Sequence, residues 1–182
     1  MNAIRRIVYT LGHSTRSLQE FFDILSYYGV ELVIDVRRWP TSRRFPWFRK
    51  EVLEKELRER GYIYLWMGDV LGGYRRIGID VPEGVEGASC FTSEGFRAYA
   101  LYVTLVEDAW RAVLRLEELA RQYRTVIICK ERLPWRCHRK ILADILELHG
   151  FKVKHVIEKG RVISHRLSRC VKLRSDGRAI YE

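Results

Sequence analysis

The stretch Thr125-Val126-Ile127-Ile128-Cys129, then Lys130-Glu131-Arg132-Leu133-Pro134-Trp135-Arg136-Cys137-His138-Arg139, then Ile141-Leu142-Ala143-Asp144-Ile145-Leu146, decides how this chain is built. An apolar β-branched run gives way to a polar loop and then to apolar residues at helical spacing: strand, loop, helix. In α/β proteins ligands bind outside the carboxyl ends of the strands. This loop holds two thiols, an imidazole, a carboxylate and several guanidinium groups at that position.

Working outward, the same alternation recurs. Residues 4–11 read as a first strand. Ser17 with Glu20 three positions on is a capping box, and Leu18, Phe21, Phe22 and Leu25 follow with helical spacing until Gly29. Leu32-Val33-Ile34-Asp35-Val36 reads as a buried strand, 49–60 as a helix with Val52, Leu53 and Leu57 on one face, and Tyr62-Ile63-Tyr64-Leu65-Trp66 as a third strand. Residues 67–92 are rich in glycine and read as a long excursion. Residues 96–123 read as two helices meeting near Glu107-Asp108, 138–149 as the helix after the fourth strand, and 152–157 and 161–166 as two further strands around the turn Glu158-Lys159-Gly160. Residues 168–182 give no clear pattern and read as a tail. Alternating strands and helices predict one α/β domain over 1–182, with a mainly parallel sheet, right-handed crossovers and helices on both faces.

The formal net charge is +10, and arginine far outnumbers lysine. Arginine suits bidentate contact with phosphate or carboxylate and stacks on aromatic rings, so an anionic small molecule or nucleic acid is the expected partner; a solvated basic face is the plainer alternative. Asn2 is the only asparagine, and Gln19 and Gln122 are the only glutamines, a composition that fits a heat-adapted protein. The N-terminus lacks the pattern of a signal peptide and no run approaches the roughly 20 apolar residues of a membrane span; the expectation is a cytoplasmic protein without membrane contact. Four cysteines in a chain this long do not read as a disulfide framework. Cys90 and Cys170 have no pattern around them and read as inert.

Parallel strands would bring four loops to one edge. The first carries Gly12-His13-Ser14-Thr15-Arg16, the second Asp35-Val36-Arg37-Arg38 with Pro40, Ser42 and Arg43, the third Gly68-Asp69 and Leu71-Gly72-Gly73-Tyr74, and the fourth Cys129 to Arg139. On these residues the chain resembles the family called domain of unknown function 488, through Leu11-Gly12-His13-Ser14-Thr15, Asp35-Val36-Arg37 with Pro40 and Ser42, Leu71-Gly72-Gly73 and the pattern Cys-x-Glu-x-x-Pro-x-x-Cys-His-Arg at 129–139, over nearly the whole length to about Ile157. The resemblance implies a Rossmann-like domain and supplies no reaction.

Four residues are the candidates for catalysis. Cys137 at a helix start beside Arg136 and Arg139 suits a nucleophilic or redox thiol, with His138 next to it; its plain alternative is a small buried hydrophobe. His13 suits proton transfer, and Asp35 suits orienting Arg37, Arg139 or His13. Gly12, Ser14, Thr15, Arg37, Glu131 and Arg139 are the candidates for binding the substrate's anionic group; Glu131, between Lys130 and Arg132, is also expected to form an ion pair. A Cys129–Cys137 disulfide and a zinc site of Cys129, Cys137, His138 and His13 are alternatives. The zinc reading is disfavoured because neighbouring Cys137 and His138 should diverge on a helix, so no metal is assigned and no cofactor is evident: neither Gly-x-x-x-x-Gly-Lys nor Gly-x-Gly-x-x-Gly occurs. Trp39, Phe45, Trp47 and Phe48 interleave with arginines, as in single-strand binders, or else fold their loop onto the core. The leading expectation is an enzyme acting on an anionic, phosphorylated or nucleotide substrate; the alternative is a non-catalytic nucleic-acid-binding module. Oligomeric state is not indicated.

Overall fold

A computed structural model describes residues 6–182. Strand β1 (Ile7–Gly12) leads through the loop at His13 into α1 (Leu18–Tyr27), β2 (Leu32–Asp35), α2 (Lys50–Glu59), β3 (Ile63–Trp66) and a short helix α3 (Gly68–Leu71). Helices α4 (Glu94–Leu105) and α5 (Glu107–Gln122) follow, then β4 (Thr125–Cys129), α6 (Arg139–Leu148), β5 (Lys152–Glu158) and β6 (Arg161–Ser164). A hairpin of β7 (Val171–Leu173) and β8 (Ala179–Tyr181) closes the chain. Part of the expected first strand, residues 4 and 5, lies outside the described residues. The capping box forms: Ser17 Oγ accepts from Glu20 N, and Glu20 Oε2 accepts from Ser17 N.

Six strands make one sheet in the order β3-β2-β4-β1-β5-β6, parallel except for the antiparallel edge strand β6. Strand period two sends alternate residues to opposite faces. Val33, Val126 and Ile128 join Phe21, Phe22, Leu25, Leu53 and Leu57 in the core under α1 and α2. Leu32, Ile34, Ile127 and Cys129 join Tyr99, Val113, Leu116, Ile141 and Leu142 in the core under α4, α5 and α6. The result is a Rossmann-like three-layer α/β fold. Among the described residues no helix is long and apolar enough to cross a membrane.

The order of strands fixes where a cleft must open. β2 lies on one side of β1 and β5 on the other, so right-handed crossovers carry α1 and α6 to opposite faces. The loops leaving the adjacent strands β1 and β4 therefore diverge, which defines a topological switch point. Before parting they remain paired: His13 N donates to Cys129 O and Ser14 N to Lys130 O, each at 2.9 Å. Gly12 is required there, because a Cβ would stand 1.9 Å from Glu131 O.

Two expectations are corrected. The segment 168–182 is no tail: Ala179 and Tyr181 are buried, and Tyr181 Oη donates to Asp144 Oδ2 at 3.1 Å. Three-residue strands are too short to show a period, so only their docking reveals them. Cys90 and Cys170 are not inert thiols but form a disulfide, Cα–Cα 6.0 Å, linking the 67–92 excursion to the hairpin across 80 residues of sequence. Cys129 and Cys137 are both free.

Candidate functional site

The four loop ends meet at the β1–β4 switch point around a cavity of about 730 Å³. Its wall includes His13, Ser14, Thr15, Arg37, Glu131, Cys137 and His138. Asp35 sits beneath it, fully buried. The convergence expected for residues scattered from 12 to 139 is thus present, but several side chains do something other than expected.

Asp35 holds Arg37. Arg37 Nε donates to Oδ1 at 2.9 Å and Nη2 to Oδ2 at 2.6 Å, while Tyr64 Oη donates to the same Oδ2 at 2.8 Å. Arg37 Nη1 reaches Phe48 O at 2.6 Å and His13 Nε2 at 3.3 Å. Four of the five guanidinium N–H groups therefore have protein partners, which leaves Arg37 as a buttress of the cleft with little free capacity for an anion. Burial works against its charge, yet the carboxylate of Asp35 raises its pKa. Burial together with Asp35 also pushes the Tyr64 phenol up.

His13 stacks on Phe48 with ring centroids 4.2 Å apart, and its Nδ1 is 3.1 Å from Ser14 O. That carbonyl fixes the proton on Nδ1 and leaves Nε2 to accept from Arg37. Burial first, then the charge of Arg37, lowers its pKa from 6.5 to about 3, so the ring is neutral at physiological pH. Ser14 takes a positive φ of 48° and Tyr74, across the cleft, one of 61°. Left-handed conformations are unfavourable for residues with a side chain and gather where structure over-determines them, as at binding sites.

Arg139 departs furthest from expectation. It is 1% exposed and does not line the cavity. Its guanidinium folds back from the first residue of α6 to donate to Cys137 Sγ at 3.2 Å, to Thr10 Oγ1 at 3.3 Å and to the Glu131 carbonyl. An arginine buried away from the cavity with three of its five N–H groups bonded internally is not an anion hook; it fixes the loop. Thr10 in turn bonds His155 Nδ1 at 2.7 Å, His155 Nε2 meets His165 Nδ1 at 2.9 Å, and His165 Nε2 meets Asp144 Oδ1 at 2.9 Å. This buried chain was not legible beforehand, because no spacing relates residues 10, 139, 144, 155 and 165. The Glu131 side chain is exposed, and Arg132 pairs with Glu158 at 2.7 Å instead of with its neighbour.

Cys137 lies in extended backbone between the turn Pro134–Arg136 and α6, with His138 at the helix cap making no capping bond. The two side chains do not diverge as expected: Cys137 Sγ is 3.9 Å from His138 Nδ1. Neighbours splay apart inside a helix, and these two precede it. Burial opposes ionisation of Cys137, but the hydrogen bond with Cys129 and the charge of Arg139 outweigh it and hold this thiol below its usual range. The same hydrogen bond, with burial, pushes Cys129 up.

Cations missed as site residues dominate the open wall: Arg38, Arg43, Arg44, Lys130 and Arg136, against the single carboxylate of Glu131. Their signal was present in the basic run at 37–49. Trp39, 62% exposed, stands 5.3 Å from Tyr74, 76% exposed, with Arg38 over the indole at 5.0 Å. Phe48 is core and Trp47 donates to Arg16 O at 3.1 Å; these two fold the loop down, and Trp39 does not.

Fold and cleft define a Rossmann-like α/β protein with a basic, thiol-floored pocket at its switch point. The chain belongs to the family described as domain of unknown function DUF488, whose model matches residues 17–146. That span contains Asp35, Gly72, Gly73 and the whole Cys129–Arg139 loop; Gly12 to Thr15 precede it. No curated protein and no solved structure matches the chain.

Proposed function

We propose that this protein is an enzyme acting on a phosphorylated anion of nucleotide size, bound by the cationic wall and processed at the Cys137–His138 end of the cleft. The observation that carries the reading is the gathering of Arg38, Arg43, Arg44, Lys130 and Arg136 around one switch-point cavity of about 730 Å³. Guanidinium groups complement phosphate, and ligand pockets of small molecules commonly span roughly 300–1,000 Å³. Trp39 and Tyr74 at the rim offer faces on which a base stacks. At the floor beside the two sulfurs, His138 Nε2 is buried without a partner among the described residues, whereas buried polar groups are normally paired.

Trp39 reports on the proposal. Titration with AMP, adenosine and inorganic phosphate should quench its fluorescence with AMP, leave adenosine at least about tenfold weaker, and lose about tenfold in AMP affinity in Arg38→Ala and Arg43→Ala, as expected for lost charge-assisted contacts. Cys137→Ser should leave AMP affinity within about twofold, since the reading assigns the phosphate to the guanidinium groups and not to the sulfur. Equal binding of AMP and adenosine, or none of either, rejects the reading.

The exposed Trp39–Tyr74 pair beside Arg43 and Arg44 favours one second reading, a module that holds single-stranded nucleic acid without chemistry. It predicts affinity that climbs with oligonucleotide length and falls steeply with salt, whereas the enzyme reading predicts that a mononucleotide captures most of the affinity.

A further inference from the structure

We infer that Cys129, Cys137 and His138 form a binding site for a thiophilic divalent cation, Zn2+ or its congener Co2+, with its fourth position open to the cleft. One ligand atom from each residue lies within 4.8 Å of the other two. Tetrahedral zinc, with bonds of about 2.3 Å to sulfur and about 2.0 Å to nitrogen, sets ligand–ligand edges of roughly 3.5–3.8 Å. The observed separation of Cys137 Sγ and His138 Nδ1, 3.9 Å, is already near that edge, and the cluster has only to contract.

The spacing in sequence, seven residues between the thiols, is unlike paired zinc ligands two to four apart. The fold replaces that local pairing: Cys129 is the last residue of β4, Cys137 lies just before the α6 cap residue His138, and the loop between them returns over the strand end. Packing and one long contact, Nδ1 to Cys137 Sγ at 3.9 Å, place His138. Its ring meets Tyr99 edge-on with centroids 4.8 Å apart, and a Cβ on Gly73 would stand 2.9 Å from Nδ1. Its Nε2 is the buried side-chain nitrogen without a partner among the described residues. An imidazole oriented this firmly, whose Nδ1 already faces Cys137 Sγ and whose Nε2 has no protein partner among the described residues, is available as a ligand.

Charge and surroundings agree. Two thiolates neutralise a divalent ion, and thiolate with imidazole selects zinc over magnesium or calcium. Arg139 Nε, 3.2 Å from Cys137 Sγ, donates to the sulfur from outside the cluster, the kind of outer contact that orients metal ligands. All three residues line the cavity, so a fourth ligand would be water or the bound anion, the arrangement of zinc sites that do chemistry. The inference does not depend on the identity of that anion.

Cobalt titration of the full-length protein under argon tests it. The expected result is a near-ultraviolet thiolate-to-metal band with visible tetrahedral bands, saturating at about one Co2+ per chain and displaced by Zn2+. Cys137→Ser should abolish the band, and Cys90→Ser with Cys170→Ser should keep it. Because a cysteine variant can misfold, a second readout uses the unaltered chain: Zn2+ should slow iodoacetamide alkylation of Cys129 and Cys137, mapped by peptide mass, by at least about tenfold, because a ligated thiolate is withdrawn from attack. Absence of the charge-transfer band, an identical band in Cys137→Ser, or alkylation indifferent to Zn2+ overturns the site. AMP titration of metal-free and zinc-loaded protein separates this from the anion reading, as each can fail while the other stands.

Discussion

Arg37 and Asp35 form a two-point ion pair, Nη2 to Oδ2 at 2.6 Å and Nε to Oδ1 at 2.9 Å, with the carboxylate fully buried and the guanidinium nearly so. The pair joins the end of β2 to His13 and Phe48, and so ties two walls of the cleft together.

Removing one partner of a buried pair strands the other charge. Asp35→Asn should therefore destabilise the protein by about 3–5 kcal/mol, measured as a fall in the urea midpoint. The double replacement Asp35→Leu with Arg37→Met should cost less than the sum of the single changes, because no charge is then left alone.

His155 gives stability a definite pH dependence. Burial, with His165 and Arg139 nearby, lowers its pKa from 6.5 to about 3. Between those values the unfolded chain binds a proton that the folded protein refuses. The stability is thus present above pH 6.5 and is lost as pH falls toward 3, with a slope of about 1.4 kcal/mol per pH unit from this group. Denaturation across pH 7 to 4 should show the fall, and His155→Gln should flatten it by that slope.

At Gly12 the prediction concerns space. Gly12→Ala would drive a methyl group into the Glu131 carbonyl, where the nearest atoms are all backbone of Glu131 and Arg132 and no flexible side chain can yield. A loss of about 1–3 kcal/mol is expected from overpacking, together with weakened AMP binding, since the β1 and β4 loops must separate. Thermal melts and the Trp39 titration check both effects. Gly84→Ala is the control: Gly84 has a positive φ of 76° but open space around it, so the variant should be destabilised by backbone strain without losing AMP.

The Cys90–Cys170 bridge closes a loop of 80 residues, for which chain entropy assigns roughly 4.5 kcal/mol. Reduction should lower the melting temperature and first release the β7–β8 hairpin, seen as faster amide exchange at Ala179 and Tyr181. Cobalt binding at Cys129 and Cys137 should survive in the Cys90→Ser, Cys170→Ser protein.

The alternation of strands and helices, the Ser17–Glu20 cap and the helix break near Glu107 were all legible in the chain, because period and capping are local properties. So was the gathering of four strand-end loops at one edge, once the strands were taken as parallel. What escaped was where each side chain spends its hydrogen bonds. Arg37 and Arg139 look like anion hooks in sequence, yet their partners, Asp35, Phe48 O, Thr10 and Glu131 O, have absorbed their donors. Arg38, Arg43 and Arg44, which looked like one basic run, supply the open cationic wall instead.

Sequence by itself determined the α/β architecture, the basic character and the loop in which the thiols sit, since apolar periodicity and composition need no knowledge of distant residues. Tertiary structure alone decided that Cys137 and His138 face the same way, that Cys90 finds Cys170, and that residues 10, 139, 144, 155 and 165 share one buried chain of hydrogen bonds. Those outcomes depend on the strand order β2-β4-β1-β5, which brings together groups up to 155 positions apart in number, and no local pattern encodes such contacts.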